Sequence, residues 1–204
     1  MGRFDIAKHL NELDLSRLAN RIIHHDARRY FLEPAGKEHY RLLAALSAHP
    51  SVQIALDIGT FRGCSALAMA SCPKTAVVSF DVEDRLGLGF VYRENGLDPT
   101  NIRFIIDDVL KDEYRKLIQL STLILVDTNH DGVFERKFYQ HLVDLEWRGW
   151  LVLDDIQLND EMRSFWGSIT LPKDDMTYVG HWSGTGIVYF GANPTWIHTS
   201  PSNH

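Results

Sequence analysis

Residues 54–65 read IALDIGTFRGCS, an apolar run that passes through an acid into a glycine loop. Ile54–Ile58 has the nearly continuous apolar character of a strand buried on both faces. The loop Gly59-Thr60-Phe61-Arg62-Gly63 follows at once, and Gly63 stands where the next helix begins. Glycines at such a turn let the backbone approach a ligand closely. Dinucleotide-binding turns carry G-x-G-x-x-G, whereas this loop is G-x-x-x-G with Asp57 two residues ahead of the first glycine. Asp57 is poorly suited to a pyrophosphate and suits a ligand that carries an ammonium group.

The same texture recurs down the chain. Ala76–Phe80, Ile102–Ile106, Leu123–Val126 and Trp150–Leu153 are further short apolar runs. Between them lie stretches suited to helices, notably Ala66–Ser71, Leu110–Leu120 and Glu135–Trp147. Strand–helix alternation predicts right-handed βαβ units in a doubly wound α/β fold. After Asp155 the rhythm breaks. A helix around Glu161–Ile169 precedes Met176–Val179 and Gly186–Phe190, which predict an antiparallel pair at the sheet edge. The expected core is a Rossmann-like seven-stranded sheet, parallel except for one antiparallel edge strand, over residues 51–204. Residues 1–50 predict an N-terminal helical cap, divided near Pro34-Ala35-Gly36 and closed by Pro50.

Composition narrows the classes. With 21 Lys plus Arg against 27 Asp plus Glu, the net charge of −6 gives no general attraction to nucleic acid or anionic lipid. No apolar run approaches the roughly 20 residues of a membrane-spanning helix, and the N-terminus lacks a signal-peptide core. The two cysteines, Cys64 and Cys72, lack metal-site spacing and read as reduced thiols, which points to a cytoplasmic protein.

Acids stand at the carboxyl ends of successive strands, the edge where open α/β sheets bind ligands. Asp81 ends the second strand 22 residues after Gly59, the place of a ribose-binding acid, although an Asp there also serves as a helix cap. Asp107-Asp108 ends the third. The fourth ends in Asp127-Thr128-Asn129-His130, and the fifth in Asp154-Asp155. Three carboxylates, Asp127, Asp154 and Asp155, then converge, so that one must be protonated or a cation must sit among them. Oxygen ligation favours Mg2+, with Mn2+ or Ca2+ also suited. The alternative is that Asp154 and Asp155 only cap and solvate a loop. His130, three residues past Asp127, has the ordinary pKa of a general base at neutral pH.

From LDIGTFRGCS through VSFDVEDR to NIRFIIDDV, the chain resembles the class I S-adenosylmethionine-dependent methyltransferases. That resemblance implies that Gly59, Thr60, Gly63 and Ser65 line the methionine end of S-adenosylmethionine. It also implies that Asp81 holds the ribose, that Asp108 faces the adenine amine, and that Val82 and Val109 pack on the ring. The stretches VDTNHDGVFERKFYQHL, WRGWLVLDDI and VGHWSGTGIVYFG look like the metal-dependent macrocin and cephalosporin O-methyltransferase group. By that likeness Asp127, Asp154 and Asp155 match its metal ligands and His130 its base. Asp131-Gly132 and Arg148-Gly149-Trp150 depart from the group's pattern.

The reaction so implied is O-methylation of a small-molecule or glycan acceptor, first of all a sugar hydroxyl, with a catechol-type diol second. A nicotinamide oxidoreductase and a binding module without chemistry are the readings from other classes. The former lacks the glycine spacing, and the intact site residues argue against the latter. Trp182 is the best-placed of five tryptophans to stack on an acceptor, with His181 behind it; Tyr30 and Arg29 offer further contacts. The N-terminal helices suit a cofactor cover, a substrate contact or a homo-oligomer interface equally well.

Overall fold

The computed structural model describes residues 10, 14, 16–19, 25–85, 101–179 and 182–191. Helices α1 (Ser16–Ala19), α2 (His25–Leu32) and α3 (Pro34–Ser47) lead into β1 (Ile54–Ile58). Then come α4 (Cys64–Met69), β2 (Ala76–Asp81), β3 (Ile102–Ile106), a 3-10 turn (Asp112–Tyr114) and α5 (Arg115–Leu120). They are followed by β4 (Leu123–Val126), α6 (Val133–Asp144), β5 (Gly149–Asp154), α7 (Asp160–Ser168), β6 (Lys173–Asp175) and β7 (Thr185–Phe190).

The strands form one seven-stranded sheet in the order β3-β2-β1-β4-β5-β7-β6. Neighbours from β3 to β5 pair in parallel, and β7 runs antiparallel to both β5 and β6. The antiparallel strand therefore lies one place in from the edge, which short β6 forms. The apolar runs become strands because both sheet faces are covered. Leu123 and Leu125 join one core with Leu42, Leu43 and Leu46 of α3. Ile124 and Val126, pointing the other way, join a second core with Phe138 and Leu142 of α6 and Phe165 of α7. Each such buried side chain contributes about 1.5–3 kcal/mol by removal from water. The N-terminal α3 thus packs straight onto the sheet and shares its core with α4.

Two details differ from the sequence reading. The strand expected at Met176–Val179 lies three residues earlier, at Lys173–Asp175. Asp175 is the reason: its Oδ1 accepts the Thr177 amide at 2.9 Å and the Thr177 hydroxyl, a local turn that takes the chain out of the sheet. Met176 looks strand-like because it is buried and its amide still donates to Thr185 O at 2.7 Å. β3 is also less enclosed than its apolar sequence suggests, with Ile106 45% exposed at the sheet edge.

Candidate active site

The crossing from β1 to α4 is built on two left-handed glycines. Gly59 has φ +101°, and a Cβ there would stand 1.7 Å from the Asp127 carbonyl oxygen. Glycine therefore lets the ends of β1 and β4 close on each other. Its amide and that of Thr60 donate to Phe80 O at 2.9 and 3.1 Å, tying the loop to β2. Gly63, φ 72°, caps α4, and its amide donates to Thr60 O at 2.6 Å.

Beneath this loop is a buried polar chain. Ser79 donates to Asp57 Oδ2 at 2.6 Å, and Thr60 Oγ1 lies 2.6 Å from Ser79 Oγ. Burial pushes the Asp57 carboxyl up to about 7, against hydrogen bonds from Ser79 and Ser65. Asp57 is wholly buried and lines neither of the two cavities at this edge, whereas Thr60 and Ser65 line one of them. Asp57 acts on the loop from below, through its hydroxyl partners.

A cavity of about 410 Å3 opens over the ends of β1, β2 and β3, and its walls include Gly59, Asp81, Val82, Asp108, Val109 and Phe134. Asp81 is held by backbone: Oδ2 accepts the Phe61 amide at 2.9 Å and Oδ1 the Glu83 amide at 3.1 Å. Val82 is 71% exposed there, a large apolar surface next to an acid. The two acids after β3 separate in role. Asp107 takes Lys111 Nζ at 2.5 Å and the Tyr114 hydroxyl at 2.9 Å, and these two bonds hold its carboxyl below the usual range. Asp108 Oδ1 accepts the Leu110 amide at 2.9 Å.

A second cavity, about 280 Å3, shares Gly59, Phe61 and Asp127 with the first and reaches Asp154, Glu33, His39 and Tyr40. Asp127 and Asp154 line this cavity, while His130 and Asp155 stand beside them and line neither cavity. His130 Nε2 lies 3.3 Å from Asp127 Oδ1 and 3.4 Å from Asp155 Oδ2. Burial lowers the affinity of His130 for a proton, but the Asp127 hydrogen bond and the charges of Asp127, Asp155 and Asp154 outweigh it, pushing its pKa up to about 9. The imidazolium thereby places positive charge beside Asp127 and Asp155.

The backbone of His130 is in the left-handed region at φ 55° and is clamped from two sides. Its amide donates to Glu135 Oε1 at 3.1 Å, and its carbonyl accepts Asn159 Nδ2 at 2.8 Å. Glu135 also takes the Thr128 hydroxyl at 2.8 Å and is 1% exposed; Asn159 caps α7 through the Met162 amide. Asp155, φ 58°, accepts the Ser183 hydroxyl. The Ile156 and Gln157 amides donate to Gly184 O and Ser183 O, so the loop before β7 fixes the turn after β5. Asp154 faces His39, whose Nδ1 is 3.5 Å from its Oδ1.

His39, Asp127 and Asp154 each present a ligand atom within 4.8 Å of the others, one nitrogen and two carboxylate oxygens. The set is chemically fit for a divalent cation, and Asp155 stands outside it. Sequence reasoning missed His39, Tyr40 and Glu135. In the sequence Glu135 is one more acid in a first helical turn, and His39 lies 88 residues before Asp127 in a segment without strands. Of the tryptophans, Trp147 and Trp150 are buried in the core, while Trp182 is 73% exposed outside both cavities. Arg29 pairs with Glu33 at 2.6 Å on the surface of α2. Gly180, His181, Trp196 and the side chain of Tyr30 lie outside the described residues.

No family model and no curated protein matches the sequence. Solved structures do match along most of it, and they carry the fold of class I S-adenosylmethionine-dependent methyltransferases, which this chain shares. Cofactor-bound Rv0187 from MTB superposes with a TM-score of 0.64 at 18% identity, over 95% of this chain and 99% of that one. The O-methyltransferase TomG from Streptomyces achromogenes, involved in tomaymycin synthesis and solved with SAM, gives 0.60 at 18% identity over 88% and 92%. The O-methyltransferase from Bacillus cereus in complex with SAH gives 0.52 at 15% identity over 89% and 90%. The sheet order also departs from the 3-2-1-4-5-6 of dinucleotide-binding dehydrogenases by the inserted antiparallel β7.

Proposed function

We propose that this chain is an S-adenosylmethionine-dependent O-methyltransferase, assisted by a divalent cation, that methylates a hydroxyl of a sugar, a glycan or a glycosylated natural product. The observation that carries the reading is the pair of adjoining cavities sharing Gly59, Phe61 and Asp127. One has the acids and apolar walls of a nucleoside site; the other has the carboxylates Asp127 and Asp154, with His130 against Asp127 just outside its walls.

In this reading Asp81 would accept the ribose hydroxyls, Val82 and Val109 would pack on the base, and Asp108 would face its amine. Gly59, Thr60, Gly63 and Ser65 border the methionine end, with Asp57 beneath them setting the loop. S-adenosylmethionine supplies a methyl group already activated on sulfonium, and a divalent ion supplies positive charge that acidifies the acceptor hydroxyl. Asp127 and Asp154, with Asp155 at their flank, would hold that charge. Orientation for in-line displacement is the main task left to the protein.

As the acceptor oxygen bonds to the methyl carbon, the carbon–sulfur bond breaks and its electrons stay on sulfur as a thioether. His130 takes the hydroxyl proton at Nε2. A divalent charge at Asp127 would offset the attraction that holds the imidazole protonated, leaving Nε2 free for this work.

The polar lining of the second cavity, with Glu33, His39, Thr60 and Arg62, supports a polyhydroxyl acceptor. Tyr40 and Phe61 in the same walls favour a second reading, a single-ring catechol-type diol. Transfer of a labelled methyl group from S-adenosylmethionine to a panel of sugars, glycosides and catechols tests both. O-methylated sugar products support the first. Methylation of catechols alone replaces it with the second, and methylation of amines alone overturns both.

A further inference from the structure

We propose that His39, from the N-terminal helix α3, is a direct ligand of the divalent cation, and that the cation is held by His39, Asp127 and Asp154 rather than by the three carboxylates Asp127, Asp154 and Asp155. The inference rests on the metal-assisted reading above and deepens it, because a nitrogen donor changes which ions the site selects.

Two donors each about 2.1 Å from one ion stand no more than about 4.2 Å apart. The ligand atoms of His39, Asp127 and Asp154 already lie within 4.8 Å of one another, so side-chain movements on the order of 1 Å close the set. His39 is 4% exposed and Asp154 7% exposed, so neither gives up much hydration to bind an ion.

Asp155 is committed elsewhere. One oxygen accepts the Ser183 hydroxyl and the other lies 3.4 Å from His130 Nε2. Its backbone, in the left-handed region at φ 58°, is fixed by the Ile156 and Gln157 amides bonding across to the loop before β7. This residue therefore positions His130, and its carboxylate is not at hand for the ion.

Two consequences follow. Imidazole nitrogen suits Mn2+, Co2+, Ni2+ and Zn2+, whereas Mg2+ favours all-oxygen surroundings, so the site ranks the transition ions above Mg2+. The helical N-terminal segment also becomes part of the reaction centre, since α3 delivers the nitrogen while β4 and β5 deliver the oxygens.

The test uses the full chain and the metals alone. Calorimetry of the wild-type protein should show Mn2+ and Zn2+ binding more tightly than Mg2+, with His39→Gln weakening Mn2+ by roughly tenfold or more. Pulsed EPR of the Mn2+-loaded protein should show coupling to an imidazole nitrogen that persists in His130→Gln and vanishes in His39→Gln. If His39→Gln does not fold, a coupling that survives in a His130→Gln/His181→Gln double variant supports His39, and one lost there overturns the proposal. Tight Mn2+ binding with no nitrogen coupling overturns it as well, while leaving the metal-assisted reading intact. No binding of any of these ions overturns both.

Discussion

At the β1–β3 end of the carboxyl edge, the glycine and the acids of the cavity sit on their own strands or within three residues of the strand ends: Gly59 after β1, Asp81 closing β2, Asp108 with Val109 after β3. At the β4–β5 end the groups are borrowed. His130 is held by Glu135 from α6 and Asn159 from α7, Asp155 by Ser183 from the loop before β7, and Asp154 faces His39 from α3. The first region is a rigid consequence of strand ends. The second is a meeting of β4, β5, α3, α6, α7 and the loop before β7 around buried charge, and its chemistry depends on contacts far apart in the chain.

This contrast sets the size of the expected effects. His130→Gln, in the assembled region, should lower kcat by about 100- to 10,000-fold, the usual contribution of a general base, with little change in S-adenosylhomocysteine affinity. Single-turnover methyl transfer measures it, and an equal loss of affinity would show that the two regions are one site. Asp81→Ala, in the strand-end region, should weaken S-adenosylhomocysteine by about 10- to 100-fold, the worth of hydrogen bonds to a charged acceptor, with the single-turnover rate at saturation nearly unchanged.

Smaller effects come from pH, in the metal-free protein. The His130 value is raised to about 9, so its contribution to stability is complete below about pH 6.5 and is lost as pH rises through 9. Asp57, raised to about 7, favours its protonated form, so its ionisation also lowers stability as pH rises from about 4 to 7, with no further loss above that. Melting temperatures should therefore fall between pH 6 and pH 9. His130→Gln should flatten the upper part of that fall. Asp57→Asn should flatten the lower part and raise Tm at pH 8 relative to the parent; an unchanged profile in both variants would contradict the charge assignments.

The same contrast explains what could be read from the sequence. Strand ends are written locally, as an apolar run that stops at an acid or a glycine, and so β1 to β5, Gly59, Asp81 and Asp108 were legible. His130, Asp127, Asp154 and Asp155 were legible as neighbours because parallel strands deliver their ends to one edge. Their division of labour was not. Whether Asp155 faces a cation or a serine depends on the turn between α7 and β7. Whether His39 matters depends on how α3 lies on the sheet, which helical periodicity alone does not give. The β6 boundary slipped for a related reason, since Met176 is buried and pairs with β7 although its neighbours have already turned away.

The central claim is that the strand-end cavity is an S-adenosylmethionine site. Calorimetric titration of the full chain with S-adenosylhomocysteine, in Mn2+ and again in EDTA, tests it most directly. The account predicts one site of micromolar affinity in both buffers, since Asp81, Asp108 and the glycine loop do not depend on the ion. Absence of binding in both buffers would contradict it, and the assignment of His130 as the base would fall with it.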